Sequence, residues 1–278
     1  MAFMLLGLFS AIFWALSTSL LFGLSIHAFF AAAAVDIFSL LLLLRFSSLS
    51  LSYVLKNWPM LLVSLASITG LCSFIASISM IGPGLAATLS SLYPIFAGLL
   101  AFLILRQRLS KMGLVALVVA ICSSIFLGLI NIEYFTINIL GIALGLLCAL
   151  CWGTECVLVN LALKSAAKPI ELLALRQAIS SAFHLFLLLP SCFFLFKIPL
   201  DLSLKDCLLI ALAAAFFCAS YLCYYKAIEK IGALKAMGLN MSYAAFALIF
   251  SLILGQELLP GLLAVAFVII ICGILSNF

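Results

Sequence analysis

The stretch IGPGLAATLSSLYPIFA, residues 81–97, recurs 150 positions later as IGALKAMGLNMSYAAFA, residues 231–247. Ile, Gly, Ala, Leu, Tyr, Phe and Ala coincide without a gap, and Arg106-Gln107 falls opposite Gln256-Glu257. A second match, at an offset of 138, sets AIFW at Ala11–Trp14 against ALCW at Ala149–Trp152. The two matches fall in the same order and divide the chain into residues 1–135 and 136–278. Each copy lies within apolar sequence of membrane-spanning length. The repeat therefore predicts two equivalent bundles of helices that together form one unit.

Composition names the solvent of those bundles. Of 278 residues, 68% are hydrophobic and 8% charged, with a mean hydropathy of +1.47. A soluble domain carries roughly a quarter charged residues, so this chain cannot cover a water-facing surface and most of it must meet lipid. A hydrocarbon core of about 30 Å needs about 20 apolar residues at 1.5 Å each. Such runs fall near Phe3–Phe22, Ala28–Leu44, Leu61–Met80, Gly84–Leu105, Met112–Ile130, Ile137–Leu163, Ile170–Leu195, Leu208–Tyr225, Ala233–Gly255 and Leu262–Ile274. The expected fold is all-α, with ten transmembrane helices. Five per half is an odd number, so equivalent helices would cross the bilayer in opposite directions. In inverted repeats of this kind, transporters place their substrate near the midplane, between the halves.

Orientation follows from the basic residues. With a cytoplasmic N-terminus, the inner loops hold Arg45, Lys56, Arg106, Arg108, Lys111, Lys164, Lys168, Lys226, Lys230 and Lys235. The outer loops hold Lys197 and Lys205. That bias puts both termini in the cytoplasm and the protein in the cell (inner) membrane. The net charge of +5 is scattered singly between apolar runs; it reads as a topology signal and not as a nucleic-acid surface. The first run lacks a basic leader and is long enough to span, so it reads as a helix and not as a signal peptide. The ten cysteines lie in or beside apolar runs and read as small packing residues without a metal pattern. No H-E-x-x-H, G-x-S-x-G or P-loop is present, so enzyme chemistry has no foothold, and no cofactor is expected.

Ionisable groups at membrane depth normally face a cavity or a partner. Asp36, Glu155 and Arg176 qualify, and counting from the cytoplasmic ends puts them at similar depth. Asp36 with Arg176 and Glu155 with Arg176 are both open as pairs, and in either case one carboxylate is left over. Trp152 and Glu155 share a helix face, and Trp14 is the repeat partner of Trp152. Tyr221, Tyr224, Tyr225, Asn240 and Tyr243 complete the candidate lining. Electron-rich rings around a carboxylate suit a poorly hydrated cation, although the same rings also serve packing or the interface, as Trp58 does by its position. Gly141 and Gly145 read as a close helix contact. Pro94 reads as a kink, His184 as a core or lipid-edge residue and His27 as a loop residue.

Several stretches resemble the drug/metabolite transporter superfamily, in its EamA-type branch of ten helices in two inverted halves. They are similar in particular to bacterial choline permeases of the LicB type. The stretches are FW at Phe13-Trp14, ALCWGTECVL from Ala149, LLALRQ from Leu172, YLCYYKAI from Tyr221 and KAMGLNMSY from Lys235. The resemblance implies import of choline or a related onium cation by alternating access, the ammonium held in an aromatic cage. It makes Trp14, Trp152, Glu155 and the tyrosines substrate-binding candidates. Two departures from the pattern, W-A-L-S after Phe13 and Phe246 after Tyr243, alter cavity volume and leave betaine or S-adenosylmethionine as substitutes. A proton is a candidate coupling ion at Glu155, since burial favours the neutral acid and a bound cation favours the carboxylate. Two rival readings are an amino-acid or metabolite transporter, with Arg176 on a substrate carboxylate, and a membrane module that transports nothing.

Overall fold

The computed structural model describes residues 2–21, 24, 26–47, 58–130, 138–165, 167–195, 197, 202–253 and 260–278. Lys56, Gln256-Glu257 and the side chain of Trp58 lie outside the described residues. The described chain is helical, with no strand among the described residues. That follows from the composition: in lipid, a backbone lacking internal hydrogen bonds has no water to turn to. The helices are α1 (Ala2–Leu21), α2 (Ala28–Leu44), α3 (Trp58–Ile81), α4 (Pro83–Ser90), α5 (Tyr93–Leu105) and α6 (Lys111–Ile130). They continue with α7 (Ile139–Lys164), α8 (Pro169–Phe183), α9 (Leu204–Ile231), α10 (Ala233–Asn240), α11 (Tyr243–Ile253) and α12 (Pro260–Leu275). Beyond α8 the chain coils on through two π-helical turns, His184–Leu188 and Ser191–Leu195.

Among the described residues, seven helical segments are long and apolar enough to cross a membrane: Phe3–Leu21, Pro59–Ile81, Leu85–Leu105, Ile139–Lys164, Pro169–Phe194, Leu204–Ile231 and Ala233–Ile253. Phe29–Leu44, Lys111–Leu127 and Gly261–Leu275 are apolar but shorter.

The 150-residue offset has backbone counterparts. Gly82 adopts φ 82° and ψ 161° ahead of α4, and Gly232 adopts φ 86° and ψ 163° ahead of α10. Only glycine enters that region freely. Helicity then breaks at Ser91-Leu92 in one half and at Met241-Ser242 in the other, the same offset again. Pro94 is therefore not the common cause of the two breaks, because Ala244 stands at the matching place. What the breaks share is a loss of regular hydrogen bonding. Pro94 has no N–H to offer the Ser90 carbonyl, and the Ala244 N–H turns to Met241 O at 3.4 Å.

Packing matches between the two halves as well. α3 lies on α7 as α9 lies on α1, α5 packs on α7 as α11 packs on α1, and α3 meets α8 as α9 meets α2. Lipid is as apolar as leucine, so such contacts depend on close approach more than on a hydrophobic drive. Gly141 and Gly145 supply it for α7. A Cβ at Gly141 would stand 2.6 Å from Ile81 Cγ2, and one at Gly145 would stand 2.8 Å from Leu89 Cδ1. The space opened at Gly141 is sealed by Ser77 Oγ, which donates to the Gly141 carbonyl at 2.8 Å.

Candidate functional site

Four residues flank the two breaks, and all four line one cavity: Ser90 and Tyr93 at the first, Asn240 and Tyr243 at the second. The cavity has a volume of about 360 Å³. Trp14 and Thr18 on α1, Phe74 on α3, Trp152, Glu155 and Cys156 on α7, and Tyr221 and Tyr224 on α9 enclose it. The walls are mainly aromatic. The Trp14 ring lies 5.4 Å from Phe217, 5.4 Å from Tyr221 and 6.4 Å from Tyr243. Across the cavity, Trp152 and Phe74 lie 5.4 Å apart. Trp152 holds its place because residue 70 is glycine; a Cβ there would sit 2.7 Å from Trp152 Cδ1. Polar bonds tie the same walls together. Asn240 Nδ2 donates to Ser10 Oγ at 2.8 Å, Ser220 Oγ donates to Ser10 O at 2.8 Å, and Tyr224 Oη donates to Cys156 Sγ at 3.1 Å.

Charge enters at one point. Glu155 is 6% exposed, and its Oε1 accepts from Arg176 Nε at 3.0 Å and from Tyr225 Oη at 3.1 Å. Oε2 has no hydrogen bond among the described residues. Arg176 uses its other donors behind the wall: Nη1 donates to Gln177 Oε1, and Nη2 donates to Tyr221 Oη at 2.9 Å. Its guanidinium carbon also lies 4.2 Å from the Tyr221 ring centre. Beyond it, Gln177 Nε2 donates to Asp36 Oδ1 at 3.0 Å, and Ser180 Oγ donates to Asp36 Oδ2. His184 Nδ1 lies 3.3 Å from Asp36 Oδ2, off the line of a hydrogen bond. Two carboxylates thus face one guanidinium.

Of the three ionisable residues, Glu155 contacts Arg176 directly and Asp36 reaches it only through Gln177, a division of labour that the sequence left open. Arg176 pairs with Glu155, and the carboxylate without an arginine is Asp36, sealed away from the cavity. Glu155 is therefore not the unpaired acid; it stands on the cavity wall while sharing one oxygen with Arg176. Trp14, Trp152, Tyr221, Tyr224, Asn240 and Tyr243 line the cavity with it. Tyr225 does not: it is fully buried behind Glu155, as a hydrogen-bond donor to it. Arg176 and Asp36 also lie behind the wall. His184 is a core residue, one of the two readings the sequence offered: it is 1% exposed, and its Nδ1 lies 3.3 Å from Asp36 Oδ2. The helical spacing of Gln177, Ser180 and His184 could have shown this, since all three share one face. Tyr93 and Phe74 were also within reach, because the 150-residue offset carries Tyr243 and Tyr224 onto them.

A multi-pass, all-helical membrane protein with a small ring-lined cavity at two helix breaks has the form of a solute carrier. The EamA-like transporter family model matches residues 139–278. The protein LicB of Haemophilus influenzae is 31% identical over 256 residues, covering 88% of this chain and 86% of its own. The chain belongs to the EamA-like transporter family, within the drug/metabolite transporter superfamily, and is related to LicB. A crystal structure of a protein 15% identical superposes with a TM-score of 0.76 over 99% of this chain and 98% of its own; it bears on the fold alone.

Proposed function

We propose that this transporter imports choline or a closely related quaternary ammonium compound by alternating access. The observation that carries the reading is Glu155 on the wall of a cavity to which both halves contribute aromatic rings. A quaternary ammonium has no N–H to donate, so it is held by ring faces and by through-space attraction to an anion. Among the described side chains that line the cavity, Glu155 is the one acid and no base accompanies it, which suits a monovalent cation. A volume of about 360 Å³ is at the low end of the roughly 300–1,000 Å³ of small-molecule sites. That favours a compact onium ion over S-adenosylmethionine with its nucleoside.

The amino-acid reading requires Arg176 to reach a substrate carboxylate. Each of its three nitrogens already donates to a protein oxygen, and it lies behind the wall. The geometry therefore favours the cation.

The mechanism follows from the same parts. Ten spans in two inverted halves would rock about the cavity, and the matched backbone breaks and matched helix contacts support that symmetry. The broken helices α4–α5 and α10–α11 bring hinge-capable backbone to the substrate. Both termini are cytoplasmic on this reading. A proton at Glu155 is the candidate coupling ion, because Glu155 is the acid on the cavity wall.

Purified protein in liposomes loaded with choline should exchange it for external labelled choline, and tetramethylammonium should compete. A thermal shift with onium cations should accompany exchange, since ligands stabilise the state they bind. Exchange of neutral amino acids with no inhibition by onium compounds would defeat the cation assignment.

A further inference from the structure

Asp36 lies outside the cavity, yet a continuous line of side chains joins it to Glu155. We propose that Asp36 is a positioning residue for the substrate carboxylate, acting on Glu155 through Gln177 and Arg176; this rests on the reading that Glu155 faces the substrate.

The line has a direction fixed by chemistry. A side-chain amide has a donor end and an acceptor end. Asp36 Oδ1, an acceptor, takes the Gln177 Nε2 donor at 3.0 Å. The Gln177 oxygen must then point the other way, where Arg176 Nη1 donates to it. Were the amide reversed, its NH₂ would face the guanidinium, donor against donor. Asp36 thus orients Gln177, and Gln177 orients one corner of Arg176. Tyr221 Oη holds a second corner at 2.9 Å, leaving Nε to meet Glu155 Oε1 at 3.0 Å. That contact leaves the second Glu155 oxygen without a hydrogen bond among the described residues. A guanidinium released at Nη1 can turn to grip both carboxylate oxygens, the arrangement arginine favours, and draw Glu155 away from the substrate.

The site is built for such a task. Asp36 is 4% exposed and Gln177 is fully buried. Ser180 Oγ donates to the second Asp36 oxygen, and His184 Nδ1 lies 3.3 Å from it on the same face of the helix. Asp36 does not line the cavity, so its contacts reach the substrate carboxylate only through its neighbours.

The test is a pair of double-substitution cycles on detergent-purified full-length protein. In the first, the affinity for choline is measured by titration calorimetry in Asp36→Asn, Gln177→Leu and the combined variant. Each single change should weaken binding about tenfold, and the combined variant should bind no worse than the weaker single, because both cut the same link. Losses that multiply would overturn the proposal, as would an Asp36→Asn protein of wild-type affinity. Asp36→Glu, which keeps the charge, should recover part of the loss.

The second cycle needs no ligand. Tm is recorded for Asp36→Asn, Glu155→Gln and the combination, and the combined loss should fall short of the sum; simple addition would overturn the linkage. If wild-type protein binds neither choline nor tetramethylammonium while this second cycle shows coupling, the cation reading fails and the linkage stands.

Discussion

The two halves furnish the cavity with nearly the same rings but not with the same charge. Trp14, Phe74 and Tyr93 on the N-terminal side answer Trp152, Tyr224 and Tyr243 on the C-terminal side, each pair related by the sequence offsets. At the place matching Glu155, however, stands Ser17, which is buried and donates to Ala213 O at 2.9 Å. Shape is supplied twice and the anion once. A ring cage can be assembled symmetrically because every face attracts a cation alike. A second carboxylate would double the negative charge in a poorly solvated space, where charge without a partner is costly. Even the single anion needs Arg176 and Tyr225 at its back.

The largest expected effect separates the two halves at these matching positions. Glu155→Gln should weaken onium binding by about 100-fold or more, in line with the roughly 3–5 kcal/mol lost when one member of a buried ion pair is removed. Ser17→Ala should leave affinity within about twofold, because the position carries no charge. Titration calorimetry of the two proteins decides it; equal losses would erase the distinction between the walls.

Next come the tryptophans. Trp14→Ala and Trp152→Ala should each cost about tenfold in affinity, within the range of about 0.5–2 kcal/mol for a cation over a ring. If only one of them matters in a labelled-choline binding assay, the cage is one-sided.

Smaller effects probe the hydroxyls. Tyr225→Phe removes the donor to Glu155 Oε1 and should weaken binding about fivefold, near the ~1 kcal/mol of a typical hydrogen bond. Tyr93→Phe should change affinity by less than about twofold and leave Tm unchanged or raised. The Tyr93 hydroxyl is buried without a hydrogen-bond partner among the described residues, and such groups are costly to keep. A Tyr225→Phe protein that binds as well as the wild type would mean that Glu155 does not need its support.

The breaks show how far sequence reading carries. The recurrence of Ile-Gly at Ile81 and Ile231 marked two equivalent places, and both glycines take up the same left-handed backbone. Pro94 suggested a kink in one copy alone, yet both copies break. What the copies share is a lost helical partner at Ser90 and Asn240: Pro94 removes the donor in one, and the Ala244 N–H turns to Met241 O in the other.

The charge network divides in the same way. Apolar surroundings identify Asp36, Glu155 and Arg176 from sequence, because lipid makes any ionisable residue conspicuous. Gln177 and Ser180 escape notice, since polar but uncharged side chains are common in such helices, and His184 is noticed without its partner. Their role appears only when α2 comes to lie against α8.

What the chain determined unaided was its solvent and its helices. Hydrophobicity over runs of about 20 residues is a local sum, and backbone hydrogen bonds inside lipid leave a run little choice but to coil. The pairing of Arg176 with Glu155, the seclusion of Asp36 and the place of Tyr225 behind the wall were decided by tertiary structure alone. A side chain's partner depends on which helix arrives opposite it and at what rotation, and linear spacing within one helix does not contain that information.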